Sequence, residues 1–224
     1  MRCIVFDLDG TLADTSADLL AAANACLPRA VLGPEDALTA FHGGRAMLRL
    51  GFDRLGQGWS EADIDAAYPR LLQAYGQAIA THTRLYPGAM EAVERLKRDG
   101  FAVSICTNKP EALAEALLQE LGVRDAFAAL VGADTLPVRK PDPAPYRAAV
   151  ERAGGHLTRS LLVGDTETDA RTGVAAGVPV VLVTFGPEGT AVDRFRPAAL
   201  LHRYEDLPGL AHRILGPADG TLAV

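Results

Sequence analysis

Five short apolar runs rich in β-branched residues punctuate the chain: Cys3–Phe6, Ala102–Cys106, Ala129–Val131, Ser160–Val163 and Pro179–Val183. Most are apolar throughout instead of alternating, which is the pattern of strands covered on both faces and hence of a parallel sheet. Between the later runs lie amphipathic segments with readable ends. Pro87 opens GAMEAVERLKRDG as a helix-start proline and Gly100 stops it; Pro110 opens a second helix that runs to Leu121 and stops at Gly122. Repeated strand–helix–strand units imply right-handed crossovers and predict a doubly wound, Rossmann-like α/β core.

The last four runs recur every about thirty residues, roughly what a crossover needs, whereas the first and second stand about three times as far apart. The surplus predicts an inserted domain, residues 15–84, with residues 1–14 and 85–224 forming the core. Its content reads as helical: Ala17 to Leu27, a shorter unit around Pro34 to Leu50, and Glu61 to Ala80, with breaks at Gly43-Gly44 and Gly56 to Gly58. Strands are not evident within it, so a helical bundle is expected.

Composition excludes several classes of function. With 49% hydrophobic and 22% charged residues over 224 positions, the chain can build a core and is not disordered. Twenty-two basic against 28 acidic residues leave a net charge of −6, and no basic run stands out to line phosphates, so no nucleic-acid partner is expected. The three cysteines, Cys3, Cys26 and Cys106, are far apart and lack Cys-x-x-Cys spacing, which argues against disulfides and zinc and for a reducing cytoplasm. The first apolar run is interrupted at Asp7, far short of a signal-peptide core, and Gly173–Pro187 is too short and too rich in glycine and proline to span a bilayer. No membrane partner is expected. A monomer and a small homo-oligomer are both compatible with the sequence.

Ligands of open parallel sheets bind beyond the carboxyl ends of the strands. The first run ends in DLDGTL (Asp7–Leu12), the second in TNK (Thr107–Lys109) and the fourth in GDTETD (Gly164–Asp169), while RKPDP (Arg139–Pro143) supplies Lys140. Carboxylates gathered at one sheet edge repel one another, each pair costing roughly 4 kcal/mol at about 4 Å and an effective dielectric near 20. A divalent cation resolves this. Oxygen donors without a nearby His or Cys favour Mg²⁺ over zinc or copper. With a cation present, a carboxylate can attack phosphorus while a hydroxyl and an amine hold the equatorial oxygens, which is the outline of a phosphoryl-transfer site.

DLDGTL, TNK, RKPDP and GDTETD, in this order and spacing, resemble the four motifs of the haloacid dehalogenase superfamily. Within it, YPGAMEAVERLKRDG, TNKPEAL, VGADTLPVRKPDPAPY and the late VTFGP are similar to the bacterial phosphoglycolate phosphatases. The resemblance implies a core with an α-helical cap, Mg²⁺ as cofactor and a small phosphorylated metabolite as substrate. It makes Asp7 the nucleophile that forms an aspartyl-phosphate, and Asp9 the acid that protonates the leaving alkoxide and then activates water. Thr107, Asn108 and Gly10 would bind the phosphoryl group, and Lys140 would stabilise its equatorial oxygens. The cation would be held by a carboxylate oxygen of Asp7, the backbone carbonyl of Asp9 and the carboxylate of Asp165, with Asp169 one layer further out, orienting a water or Lys140.

Plainer readings accompany these. Asp-x-Asp-Gly alone is a common strand-ending turn, and Asp165 stands where it could cap the helix TETDARTGVAAG. Thr166 occupies a position where the family usually has Ser. The chain has only three lysines, Lys97, Lys109 and Lys140, among many arginines, and retention of Lys140 points to a need for a compact ammonium. In the insert, FHGGRAML (Phe41–Leu48) resembles a substrate-specificity loop, in which Gly44 permits close approach and Arg45 pairs with the carboxylate of 2-phosphoglycolate. Arg45 equally fits an exposed arginine at a helix start. Asp14 reads as a hinge or helix start. His42, His82, His156, His202 and His212 show no metal spacing.

Absence of lysine from residues 1–96 argues against a Schiff-base hydrolase, and Asp9 argues against a metal-free dehalogenase. The leading expectation is a phosphomonoester hydrolase acting on 2-phosphoglycolate. Alternatives are a phosphatase for a sugar phosphate, nucleotide or pyrophosphate, a phosphomutase of the β-phosphoglucomutase type, and a non-catalytic binding module.

Overall fold

The computed structural model describes residues 1–56 and 58–216. The described residues divide into two compact units, one made of Met1–Ala13 and the described residues from Leu85 onward, the other of Asp14–Arg84. The elements in chain order are β1 (Arg2–Phe6), β2 (Ala13–Asp14), α1 (Ser16–Asn24), α2 (Ala37–Phe41), α3 (Gly44–Leu55), α4 (Glu61–Gln77), β3 (Arg84–Leu85), α5 (Ala89–Arg98), β4 (Phe101–Cys106), α6 (Glu111–Glu120), β5 (Ala129–Val131), α7 (Pro143–Arg152), β6 (Ser160–Gly164), α8 (Glu167–Ala176), β7 (Val180–Val183), β8 (Ala199–Leu201) and α9 (Leu207–Leu215). Short 3₁₀ turns connect several of them.

In the first unit the strands pair as β5-β4-β1-β6-β7-β8, and every pairing is parallel. The chain therefore winds from β1 out to one edge and returns to the other side of β1, the reversal that opens a crevice at the carboxyl ends of the central strands. The fold is the doubly wound α/β architecture read from the apolar runs. Register puts the loops after these strands level: Phe6 stands opposite both Ile105 and Val163, so Asp7, Thr107 and Asp165 emerge within a residue or so of one height.

β1, β4 and β6 are buried along their whole length, which is why they are apolar at every position. One face packs Cys3, Val5, Cys106 and Leu162 against Tyr146, Ala149 and Val150 of α7 and Ala170 and Ala176 of α8. Tyr146 also reaches into the sheet, donating its hydroxyl to Ser160 Oγ at 2.7 Å, while Ser160 donates to the Leu157 carbonyl at 2.7 Å.

Three features differ from the sequence reading. A sixth strand, β8, extends the sheet beside β7; only three residues long and lying just after Pro197, it has too little pattern to be read. Two-residue strands β2 and β3 pair where the chain enters and leaves residues 14–84, too short to carry any alternation. Pro87 precedes the helix and does not open it, because left-handed Gly88 is the cap and α5 begins at Ala89.

The second unit is helical. α1, α3 and α4 bury Leu20, Ala23, Met47, Leu48, Ile64, Leu71 and Tyr75, and Asp36 and Arg54 form a bidentate ion pair at 2.6 and 2.7 Å. The shorter unit expected over Pro34–Leu50 is broken at His42-Gly43 into α2 and α3. Of the break expected over Gly56 to Gly58, residue 57 lies outside the described residues. Buried Asp18 on α1 accepts hydrogen bonds from the His82 and Thr83 amides and the Thr83 hydroxyl, anchoring the returning chain to the first helix. Asp14 Oδ1 accepts from the Ser16 amide and hydroxyl, so it sits at the start of α1. Among the described residues no helix is long and apolar enough to cross a membrane.

The Tyr146–Ser160 hydrogen bond ties α7 to the central sheet, and Ser160 keeps its bond to Leu157 when the phenol is removed. Tyr146→Phe is therefore expected to lower unfolding free energy by about 1 kcal/mol, the net value of one buried hydrogen bond. Urea denaturation checks this, and an unchanged midpoint would refute it.

Candidate active site

The loop after β1 turns sharply. Gly10 takes φ +79°, a region open to glycine, and its amide N–H donates to the Ala13 carbonyl at 2.9 Å. This turn sends Thr11 back into the protein, where its buried hydroxyl donates to Asp165 Oδ1 at 3.0 Å. The Thr11 carbonyl in turn accepts from the buried Tyr204 hydroxyl at 2.7 Å. Asp7, at the end of the fully buried β1, has its amide bonded to the Val163 carbonyl and accepts at Oδ1 from the Leu8 amide at 2.8 Å.

Carboxylate oxygens of Asp7, Asp165 and Asp169 lie within 4.8 Å of one another. Lys140 enters this group with its side chain 1% exposed, its Nζ 2.7 Å from Asp169 Oδ1 and 3.1 Å from Asp7 Oδ1. One ammonium thus faces three carboxylates. Burial pulls the Lys140 pKa down, but the charges of Asp169 and Asp7 more than reverse this and hold it above the usual lysine value. Asp7 is pushed up to about 6, first by burial and then by Asp169 and Asp9, with Lys140 opposing. Asp165 is driven well above the ordinary carboxylate value by burial and by the charges of Asp169 and Asp7. Burial is the larger cause of both shifts, and the neighbouring acids add a local excess of negative charge.

That excess, built only from oxygen donors, fits a hard divalent cation. Asp169 is already committed: Oδ1 to Lys140, and Oδ2 to the Asp165 and Thr166 amides and the Thr166 hydroxyl at 2.9 to 3.3 Å. Asp7 and Asp165 are therefore the acids best placed to ligate, with Asp169 behind them. Helix capping falls to Thr166 and Asp169, which form the capping box of α8, and Asp165 is turned instead toward Thr11. Asp169 also explains Gly164, since a Cβ there would lie 2.3 Å from the Asp169 Cγ.

Thr107 is buried just past β4, its amide bonded to the Val131 carbonyl and its Oγ1 accepting from the Lys109 amide at 3.2 Å. Its hydroxyl hydrogen is left to donate elsewhere. The side-chain amide of Asn108 donates to the Lys140 carbonyl at 3.0 Å, which places Asn108 as a brace for the Lys140 loop. Asp9 is bound by a residue to which sequence reasoning assigned no role: Lys109 Nζ lies 2.8 and 3.0 Å from its two carboxylate oxygens. The scarcity of lysine that singled out Lys140 applies equally to Lys109 and was a usable signal. Thr11 gave no such signal. Gly186, in the loop after β7, also approaches the site, its Cβ position lying 3.4 Å from the Gly10 carbonyl and 3.8 Å from Asp165 Cβ.

In the helical unit, Gly44 begins α3 where a Cβ would meet Tyr68 at 2.9 Å. Arg45 pairs with Asp65 at 2.6 Å and stands over the Tyr68 ring at 4.9 Å. His42, His82, His156, His202 and His212 belong to no metal-binding group among the described residues.

Residues 1–177 match the family model described as haloacid dehalogenase-like hydrolase. The chain is 40% identical over 220 residues to a phosphoglycolate phosphatase of Mesorhizobium japonicum, covering 96% of this chain and 97% of that protein. It is 37% identical over 216 residues to a phosphoglycolate phosphatase of Agrobacterium fabrum, covering 94% and 93%. A crystal structure of a predicted phosphoglycolate phosphatase from Haemophilus somnus superposes with a TM-score of 0.81 at 25% identity, covering 94% of this chain and 97% of that one.

Replacing Thr11 by its isostere valine removes the hydrogen bond that orients Asp165 without changing volume. Loss of such an outer hydrogen bond typically weakens metal binding by about tenfold or more. Thr11→Val should therefore bind Mg²⁺ roughly tenfold more weakly than wild type in isothermal titration, and equal affinities would show that Asp165 does not need its partner.

Proposed function

The chain belongs to the haloacid dehalogenase-like hydrolases, and from that premise we propose that it is a Mg²⁺-dependent phosphomonoesterase that works through an aspartyl-phosphate on Asp7 and takes 2-phosphoglycolate as substrate. The observation that carries the reading is the grouping of Asp7, Asp165 and Asp169 around buried Lys140 at the carboxyl edge of the sheet. The substrate rests on the name borne by its relatives.

Bound by Asp7, the Asp9 carbonyl and Asp165, Mg²⁺ would supply positive charge to the phosphoryl oxygens and to the crowded acids. The residues do the rest. An oxygen of Asp7 attacks phosphorus as the bond to the leaving oxygen breaks, and Asp9 gives that oxygen its proton. The Lys140 ammonium and the Thr107 hydroxyl stabilise the equatorial oxygens in the in-line transition state. Asp9, now deprotonated, accepts a proton from water as the water attacks phosphorus, and inorganic phosphate departs with Asp7 restored. Asn108 keeps the Lys140 loop in place, and Gly10 gives the turn that brings the loop round. Gly44 and Arg45 are carried forward as candidates for reading the substrate carboxylate. The cytoplasm is the proposed compartment, supported by Cys3, Cys26 and Cys106 all being buried free thiols.

Phosphate release measured over a panel of small phosphorylated metabolites tests this. 2-Phosphoglycolate is expected to give the highest kcat/KM, chelation of Mg²⁺ to abolish turnover, and Asp7→Asn to fall to background. Glucose 1-phosphate converted to the 6-phosphate in place of free phosphate would indicate a mutase. Turnover that survives both chelator and Asp7→Asn would overturn the mechanism.

A further inference from the structure

The acid turned toward Thr11 is held by a path of contacts that starts near the other end of the chain. Tyr204 lies in the short 3₁₀ turn Tyr204–Asp206 after β8 and is fully buried. Its ring packs on Phe185 at 5.2 Å between centroids, and Phe185 packs in turn on Tyr86 at 4.8 Å. Left-handed Gly88 closes in behind it, since a Cβ there would stand 3.3 Å from the Tyr204 Cβ. Clamped in this way, the phenol delivers its hydroxyl to the Thr11 carbonyl at 2.7 Å. The next carbonyl of the same loop, that of Leu12, accepts from the Tyr86 amide at 3.0 Å. Two successive peptide groups of the loop are thus fixed from outside it, and with them the direction in which the Thr11 side chain leaves the backbone. That side chain donates to Asp165 Oδ1 at 3.0 Å.

We propose that Tyr204 is a positioning residue for the cation site: through Thr11 it sets the orientation of the Asp165 carboxylate and thereby the affinity for Mg²⁺. This role rests on the reading above that Asp165 ligates Mg²⁺. A group behind a ligand raises affinity by holding that ligand in its binding orientation before the ion arrives. Here the hold has two steps, phenol to carbonyl and hydroxyl to carboxylate, and it ties the turn before α9 to a loop 193 residues earlier. A phenylalanine would fill the same buried space without taking a hydroxyl out of water, so the hydroxyl is the part that needs a purpose.

Calorimetric titration of the full chain with MgCl₂ alone tests this without any turnover. Tyr204→Phe keeps the ring and removes the hydroxyl. It is expected to weaken Mg²⁺ binding roughly threefold to tenfold, at or below the loss for a direct partner of a ligand. In a double-mutant cycle with Thr11→Val, which cuts the same path one step later, Tyr204→Phe should cause no further loss. A merely structural role would lower the urea midpoint and leave Mg²⁺ affinity alone. Unchanged affinity in Tyr204→Phe would overturn the proposal, and so would losses that add in full in the double variant. Should Tyr204→Phe lose its cooperative thermal melt, Phe185→Leu takes its place in the cycle, because it keeps the hydroxyl and removes the ring that holds it; the same two outcomes decide. Wild-type protein that binds no Mg²⁺, or Asp165→Asn that binds it as tightly as wild type, would defeat the cation-site reading itself, and the role of Tyr204 with it.

Discussion

Like charges crowded at the carboxyl edge of the sheet are what the rest of this structure is arranged around. Asp7, Asp165 and Asp169 share a small volume with a single buried ammonium, and burial first, then the neighbouring acids, raises the pKa of Asp7 and Asp165. Such a cluster persists only if the scaffold forces it together. Here the force comes from strands buried on both faces, whose pairing sets the loops that carry the acids side by side. A site built this way is poised to accept a cation, because added positive charge relieves a cost already present.

Parallel register turns that cost into geometry. With β1 level against both β4 and β6, residues far apart in the chain reach the same corner by the same rule: each is the first polar group past an apolar strand. The supports behind them are equally specific. Asp169 closes the capping box of α8 and holds Lys140 at once, so the helix start and the charge balance are one feature. Thr11 serves Asp165, and Tyr204 serves Thr11. The pattern is of acidic and polar groups at strand ends with hydrogen-bonded partners a layer behind, the arrangement that keeps a site from loosening.

Much of this was legible in the sequence, and the parts that were not share a reason. Uninterrupted apolar runs identify doubly covered strands, and polar residues directly after them identify the site, because both signals are local in the chain. Asp7, Thr107, Lys140, Asp165 and Asp169 therefore stood out. β8 did not, since three residues at a sheet edge carry no period. Nor did the pairing of Asp9: the scarcity of lysine marks Lys109, but a hydrogen bond across 100 residues leaves no local trace of which group that lysine meets.

By itself, then, the sequence determined the α/β core, the helical character of residues 15–84 and the acids and lysine that make up the candidate site. These follow from short-range pattern, from periodicity and from the chemistry of residue types. Only tertiary structure decided which acid faces which cation: that Asp169 and Asp7 take Lys140, that Asp9 takes Lys109, and that Asp165 turns to Thr11 and leaves the helix cap to Thr166. The physical reason is that charge pairing falls off over a few ångströms in space, and which groups come that close is settled by strand register and loop packing.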